Sequence, residues 1–190
     1  MQSCKGEKGE SIQADCYWAG DSRLYLLDED GLAQISVDDL NVTDAMESLY
    51  IGGKMTNVVH LPKDGENGFS VHHSQLRLKK PGILFAATDG CFDYITSPME
   101  FEYLLLETLE RADSAAEWEK NLKEVIGKIA QDDSTMTAAS FGYGSFDNLK
   151  RDLAKRTEYL RQAYISRMDG LSKDQKTILW NQYKSNYYRL

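Results

Sequence analysis

The uncharged run Gly82-Ile83-Leu84-Phe85-Ala86-Ala87 constrains the fold most. It lies between the tight turn Lys79-Lys80-Pro81-Gly82 and the turn residues Thr88-Asp89-Gly90. A short apolar run bounded in this way reads as a buried strand. The strand signals before it are weaker. Cys16 to Ala19, Leu24 to Leu27 and Leu32 to Ile35 are short apolar runs, and Asp28-Glu29-Asp30-Gly31 between the last two is a hairpin signal. Three short antiparallel strands are expected there. Val71 to Leu78 alternates loosely, as a strand does. Gly52-Gly53 and Pro62-Lys63-Asp64-Gly65 mark residues 40–68 as loops.

Helices follow the buried strand. Ser97-Pro98-Met99-Glu100 combines an N-cap, a first-turn proline and a capping-box glutamate, ahead of an apolar face of Phe101, Leu104, Leu105 and Leu109. Ser114-Ala115-Ala116-Glu117 opens a second helix with Trp118, Leu122, Val125, Ile126 and Ile129 at helical spacing. Asp132-Asp133-Ser134 ends it, and Thr135 to Phe141 reads as a strand. Strands, two helices and a further strand predict an α+β sandwich with flanking helices rather than a wound parallel sheet. Residues 146–190 are expected to form a helical hairpin. Leu149, Leu153, Leu160, Tyr164 and Met168 make one stripe, Asp169-Gly170 stops it, and Ser172-Lys173-Asp174-Gln175 restarts a helix with Ile178, Leu179, Tyr183 and Tyr187. The expected division is therefore a body over 1–145 and a tail over 146–190. The tail either covers a face of the body or docks on a kinase, a receptor or an anionic surface.

The chain has 190 residues, which suits one domain with an appendage. Its formal charge of −8 argues against general nucleic-acid binding, which needs a basic face. The tail holds ten Lys or Arg against five Asp or Glu, so the acidity belongs to the body. No apolar run approaches the roughly 20 residues of a membrane span, and Met1 to Lys8 lacks the apolar core of a signal peptide. The expected location is the cytoplasm. Cys4, Cys16 and Cys91 are scattered and form no zinc pattern with His60, His72 or His73.

Three acidic motifs sit at strand ends: Gly20-Asp21-Ser22-Arg23, Thr88-Asp89-Gly90 and Asp132-Asp133-Ser134-Thr135. Hard divalent cations take oxygen ligands, and carboxylates at the ends of neighbouring strands can converge on one. Small neighbours such as Gly20 and Gly90 let the backbone turn sharply. Taken together, Trp18-Ala19-Gly20-Asp21-Ser22-Arg23, Ala87-Thr88-Asp89-Gly90-Cys91-Phe92-Asp93 and Asp132-Asp133-Ser134-Thr135-Met136 resemble, in order and spacing, motifs of the protein phosphatase 2C, or metal-dependent PPM-type, family.

The resemblance covers about residues 11–143. It implies a phosphoserine/phosphothreonine phosphatase that uses Mg²⁺ or Mn²⁺, with a β-sandwich between helices and a metal centre at one end. It makes Asp89 and Asp132 ligands of one ion and Asp21, with Asp89, ligands of a weaker one, with Gly90 and Asp133 in support. It implies a phosphorylated protein substrate and a cognate serine/threonine kinase. Asp89 and Asp132 should then be spatial neighbours despite their 43-residue separation, with Asp21 close to Asp89. The family's bridging Asp-Gly motif and phosphate-binding arginine have no counterpart before Gly20. The resemblance therefore implies the C-terminal part of the family domain only, with Gln2 to Gln13 as a strand end and hairpin loop, and a chain inactive by itself. The competing expectations are a pseudophosphatase that binds a partner and an incomplete product without a function of its own. The histidine usual after Asp38 is replaced by Asp39.

Overall fold

The structure, a computed structural model, describes residues 2–4, 11–57 and 70–190. The expected loop at Pro62-Lys63-Asp64-Gly65 and His60 lie outside the described residues. In chain order the elements are β1 (Gln2–Cys4), β2 (Ile12–Trp18), β3 (Arg23–Asp28), β4 (Gly31–Gln34), α1 (Ala45–Ile51), β5 (His72–Leu78), β6 (Gly82–Ala87), α2 (Pro98–Glu110), α3 (Ala115–Ile129), β7 (Met136–Phe141), α4 (Phe146–Leu160), α5 (Ser166–Met168) and α6 (Lys173–Tyr187). A π-helical turn over Arg161–Ile165 joins α4 to α5.

Five strands form one sheet in the order β1-β7-β6-β3-β4. All its neighbours are antiparallel except β1 and β7. β2 and β5 form a separate two-stranded antiparallel sheet. The three-strand run expected at the start thus divides. β3 and β4 make the Asp-Gly hairpin, but β2 pairs with β5, far along the chain. Hairpin signals are local, whereas the partner of β2 is chosen by which apolar face it can cover.

Strand alternation explains the layers. On β3, Tyr25 and Leu27 face the helices, and so do Ile83 and Phe85 of β6. Leu26, with Phe141 of β7, faces the small sheet and meets Leu78 of β5, with Ile12, Ala14, Leu76 and Leu84 alongside. The fold is a mixed α+β sandwich: a small sheet, a large sheet and a helical layer. The large core lies on the helical side, where Phe85 meets Trp118 edge-on at 6.1 Å and Tyr25 meets Phe101 at 5.5 Å. The central strand β6 is buried as its apolar run requires.

The helices begin where the caps place them. The side chains of Ser97, Ser114 and Ser145 accept the amides of Glu100, Glu117 and Asn148, and Ser172 with Gln175 completes a capping box. α1 lies within the stretch expected to be loop. Asp44 caps it by accepting the Met46 and Glu47 amides, but it has too few apolar residues to show a period.

The C-terminal hairpin lies on the helical layer. Leu149, Leu153, Leu160, Tyr164 and Met168 are buried, and Gly170 adopts φ +71° at the break. Leu179, Trp180, Tyr183 and Tyr187 are buried in the same core, with Tyr187 6.3 Å from Tyr25. Ile178 departs from the expected stripe and is 60% exposed. Residues 179, 183 and 187 recur every four positions along one face, and Ile178 is turned about 100° away from it. Arg189, just beyond α6, donates to Asp28 at 2.7 Å and to the Gly31 carbonyl, which ties the hairpin to the β3–β4 turn. Among the described residues no helix is long and apolar enough to cross a membrane.

Candidate functional site

Sheet register brings the three acidic motifs to one end of the molecule. Arg23 pairs with Ala87, and Ala87 pairs with Met136. Asp21 precedes Arg23, Asp89 follows Ala87, and Asp132-Asp133 precede Met136, so all three segments leave the large sheet at the same end. The Thr88 amide donates to the Thr135 carbonyl at 3.0 Å, and the Thr135 amide donates to the Thr88 hydroxyl at 2.9 Å. Gly90 is buried against the neighbouring turn. A Cβ at that position would lie 2.4 Å from the Asp133 carbonyl oxygen and 3.3 Å from that of Asp132. Gly90 and Asp133 thus hold two turns together by backbone approach, which only glycine permits.

The carboxylates have different surroundings. Asp89 is half-buried and accepts its neighbour's amide, Gly90 N, at 2.8 Å. Asp132 is exposed and accepts the Asp133 amide at 2.7 Å. Burial pushes the Asp21 carboxyl above the usual range, and the charge of Asp89 pushes it further. Asp93, four residues after Asp89, was not singled out from the sequence. Its side chain reaches solvent, yet surrounding protein desolvates it enough to push its pKa up to about 6, with Asp89, Asp21 and Asp38 adding to the rise and Arg23 opposing it. The signal for Asp93 was its spacing, because the single 3₁₀ turn Asp89–Cys91 returns the chain to the same side.

Arg23 of the Gly-Asp-Ser-Arg motif is buried. It donates to Asp38 at 2.6 Å and 2.9 Å and to Ser48 of α1, and its guanidinium lies 4.2 Å from the Phe92 ring centre. Asp38 therefore occupies the arginine that lies closest in sequence to Asp21.

The raised Asp93 pKa gives a pH dependence. The folded state holds its proton up to about pH 6, whereas an unfolded aspartate releases it near 3.9. Between these values the native state binds more protons, so this group's contribution is full below about pH 4 and is lost as pH rises through about 6. Asp93→Asn should remove that loss. Urea midpoints of the variant and the parent should agree near pH 4 and separate above pH 6, with the variant the more stable.

Oxygen donors are the correct kind for Mg²⁺ or Mn²⁺, and the raised carboxyls mark a negative field that a cation would relieve. The donor set fits in chemistry but is partial in number. Among the described residues no three His, Cys, Asp or Glu side chains are grouped to hold one ion. A mainly apolar cleft of about 480 Å³ lies beside these turns, between Trp118, Leu122 and Ile126 of α3 and Met136 and Ala138 of β7, with Cys91 and Ser134 at its lining.

The sequence matches no family model and none of the curated proteins compared with it. Solved structures do match the fold. The serine/threonine phosphatase Stp1 from Staphylococcus aureus is similar over 70% of this chain and 53% of that one, at 18% identity and a TM-score of 0.52. A mutant bacterial serine phosphatase is similar over 71% of this chain and 54% of that one, at 16% identity and a TM-score of 0.50. The catalytic domain of the phosphatase PstP, solved in complex with two manganese ions, covers 68% of this chain and 54% of that one, at 20% identity and a TM-score of 0.46. The chain spans about half the length of the solved phosphatases it matches. The fold is that of PPM-type serine/threonine phosphatases, as the three acidic motifs implied.

Proposed function

We propose that this chain is the C-terminal portion, over residues 1–145, of a metal-dependent phosphoserine/phosphothreonine phosphatase domain, with residues 146–190 as a helical appendage. The observation that carries the reading is the convergence of the Asp21, Asp89 and Asp132-Asp133 segments at one end of a PPM-type sandwich. Asp89 and Asp132 would hold one Mg²⁺ or Mn²⁺ ion, and Asp21, with Asp89, a further and weaker one, with Gly90 and Asp133 fixing the turns between them. Such ions activate a water for attack on a phosphate monoester and offset the charge on its oxygens. The residues in hand position carboxylates, and Arg23 is not free to meet the phosphate, because it is committed to Asp38 and Phe92. The substrate class is a phosphorylated protein, which a serine/threonine kinase would supply, and the compartment is the cytoplasm.

This chain alone is accordingly expected to hydrolyse aryl phosphates or phosphopeptides negligibly with Mn²⁺. Robust turnover, abolished by Asp89→Asn, would show that the site is more complete than the described carboxylates imply. The absence of a three-ligand group among the described residues favours a second reading, a pseudophosphatase that binds its partner without turnover. The two are separated by Mn²⁺ titration, because the binding module needs no ion at these aspartates.

A further inference from the structure

The feature outside this reading with the most structure around it is Asp39, which stands where the resemblance leads one to expect histidine. Its carboxylate is 10% exposed. One oxygen accepts the Gly20 amide at 2.8 Å and the Asn57 side-chain amide at 2.7 Å. The other lies 2.7 Å from His72 Nε2. The Asp39 amide in turn donates to the Gly20 carbonyl at 2.9 Å, so the two residues exchange a pair of hydrogen bonds, and the Asp39 carbonyl accepts the Thr56 amide at 2.7 Å. Burial opposes ionisation, but the hydrogen bonds from Asn57, Gly20 and His72 outweigh it and hold the carboxyl below the usual range. Two amide donors converge on one oxygen while His72 holds the other, an arrangement that favours the charged carboxylate.

These partners come from different parts of the fold. Gly20 lies in the turn between β2 of the small sheet and β3 of the large one, at φ +82°. His72 begins β5 in the small sheet, and its ring stacks on Trp18 at 5.4 Å and 24°. The Trp18 indole donates to the Val37 carbonyl at 2.9 Å. Asn57 is itself held to Ser70 by hydrogen bonds in both directions. The segment after β4 is thus tied to the small sheet around the turn that presents Asp21.

We propose that Asp39 is a positioning residue for Asp21, a buried carboxylate that fixes the Gly20–Asp21 turn while His72 and Asn57 fix the carboxylate. The role rests on the proposed function in so far as Asp21 is to hold an ion. The fixing of the turn itself requires no ion. Asp39→Ala removes every acceptor, whereas Asp39→Asn keeps one oxygen for Gly20 and Asn57, turns an NH₂ toward His72 and removes the charge. His72→Gln retains a donor that can reach the carboxylate.

The test begins with metal-free protein. In Asp39→Ala the Gly20 amide should exchange about tenfold faster, the equivalent of one net hydrogen bond, and in Asp39→Asn, whose remaining oxygen can accept it, by less. The Trp18 indole resonance should shift, and the Trp118 indole, bonded to Leu105 and Thr108 on the far side of the large sheet, should report an intact core. Mn²⁺ titration should then show affinity about ten- to a hundredfold weaker in Asp39→Ala, as for other residues that orient a metal ligand, and near-parental in His72→Gln. A Gly20 amide that stays protected in Asp39→Ala, or Mn²⁺ affinity there equal to the parent, overturns the proposal. A parent chain that takes up no Mn²⁺ defeats the metal reading instead, and Gly20 exchange then decides the role of Asp39 in the turn.

Discussion

Glu102→Ala should lower the free energy of unfolding by about 3–5 kcal/mol, the cost of leaving half of a buried ion pair behind. Glu102 lies in the middle of α2 and is fully buried. Its two oxygens accept from Arg156 of α4 at 2.6 Å and 2.9 Å, and Tyr183 of α6 donates its hydroxyl to one of them. Arg156 also fills the space above Gly31, where a Cβ would lie 2.3 Å from the guanidinium. One carboxylate therefore joins three helices and the β3–β4 turn. In the variant the Arg156 charge remains, 9% exposed, without its partner. Removing both charges together, as Glu102→Leu with Arg156→Met, should recover much of the loss, because buried pairs often contribute little against apolar residues of similar size. Urea unfolding of the two single variants and the double variant supplies the cycle. A Glu102→Ala cost below about 1 kcal/mol would show that water reaches the site.

Leu153→Asp should release or unfold the C-terminal hairpin. Leu153 is 1% exposed in the core shared by the hairpin and the body. Truncating a buried leucine costs about 2–5 kcal/mol, and burying an unpaired carboxylate costs more. Together these rival the roughly 5–15 kcal/mol that holds a whole domain folded. Lys150→Glu, one turn away, removes a hydrogen bond to the Ala112 carbonyl and a 3.6 Å approach to the exposed Asp113, a change worth about 1 kcal/mol. Amide exchange across residues 146–190 separates the cases. Rapid exchange is expected in Leu153→Asp, slow exchange in Lys150→Glu, and protection of the hairpin in both would contradict the packing.

The legible parts of the sequence were those whose signal is local. Serine caps at 97, 114 and 172, the Asp-Gly hairpin at 30–31 and the uncharged run of β6 each act within a few residues, and each marks the element it predicted. The three acidic motifs were legible for the same reason, and sheet register then brought their segments together. What escaped depends on distant partners. Glu102 looks like one more polar residue of an amphipathic helix until Arg156 and Tyr183, 54 and 81 positions later, are seen to enclose it. Asp39 looks like drift until His72, 33 positions away, is found against its carboxylate. The pairing of β2 with β5 and the outward turn of Ile178 are settled by which faces remain to be covered, and no window of sequence contains that information.

The central claim is that the acidic end of this sandwich is a metal-holding end, and residue-resolved Mn²⁺ titration tests it most directly. Paramagnetic broadening should appear first at the amides of Asp21, Asp89, Gly90, Asp132 and Asp133, leave the C-terminal hairpin sharp, and disappear in Asp89→Asn while the fold is retained. Broadening spread over the acidic surface with no such focus, or unchanged in Asp89→Asn, would contradict the account.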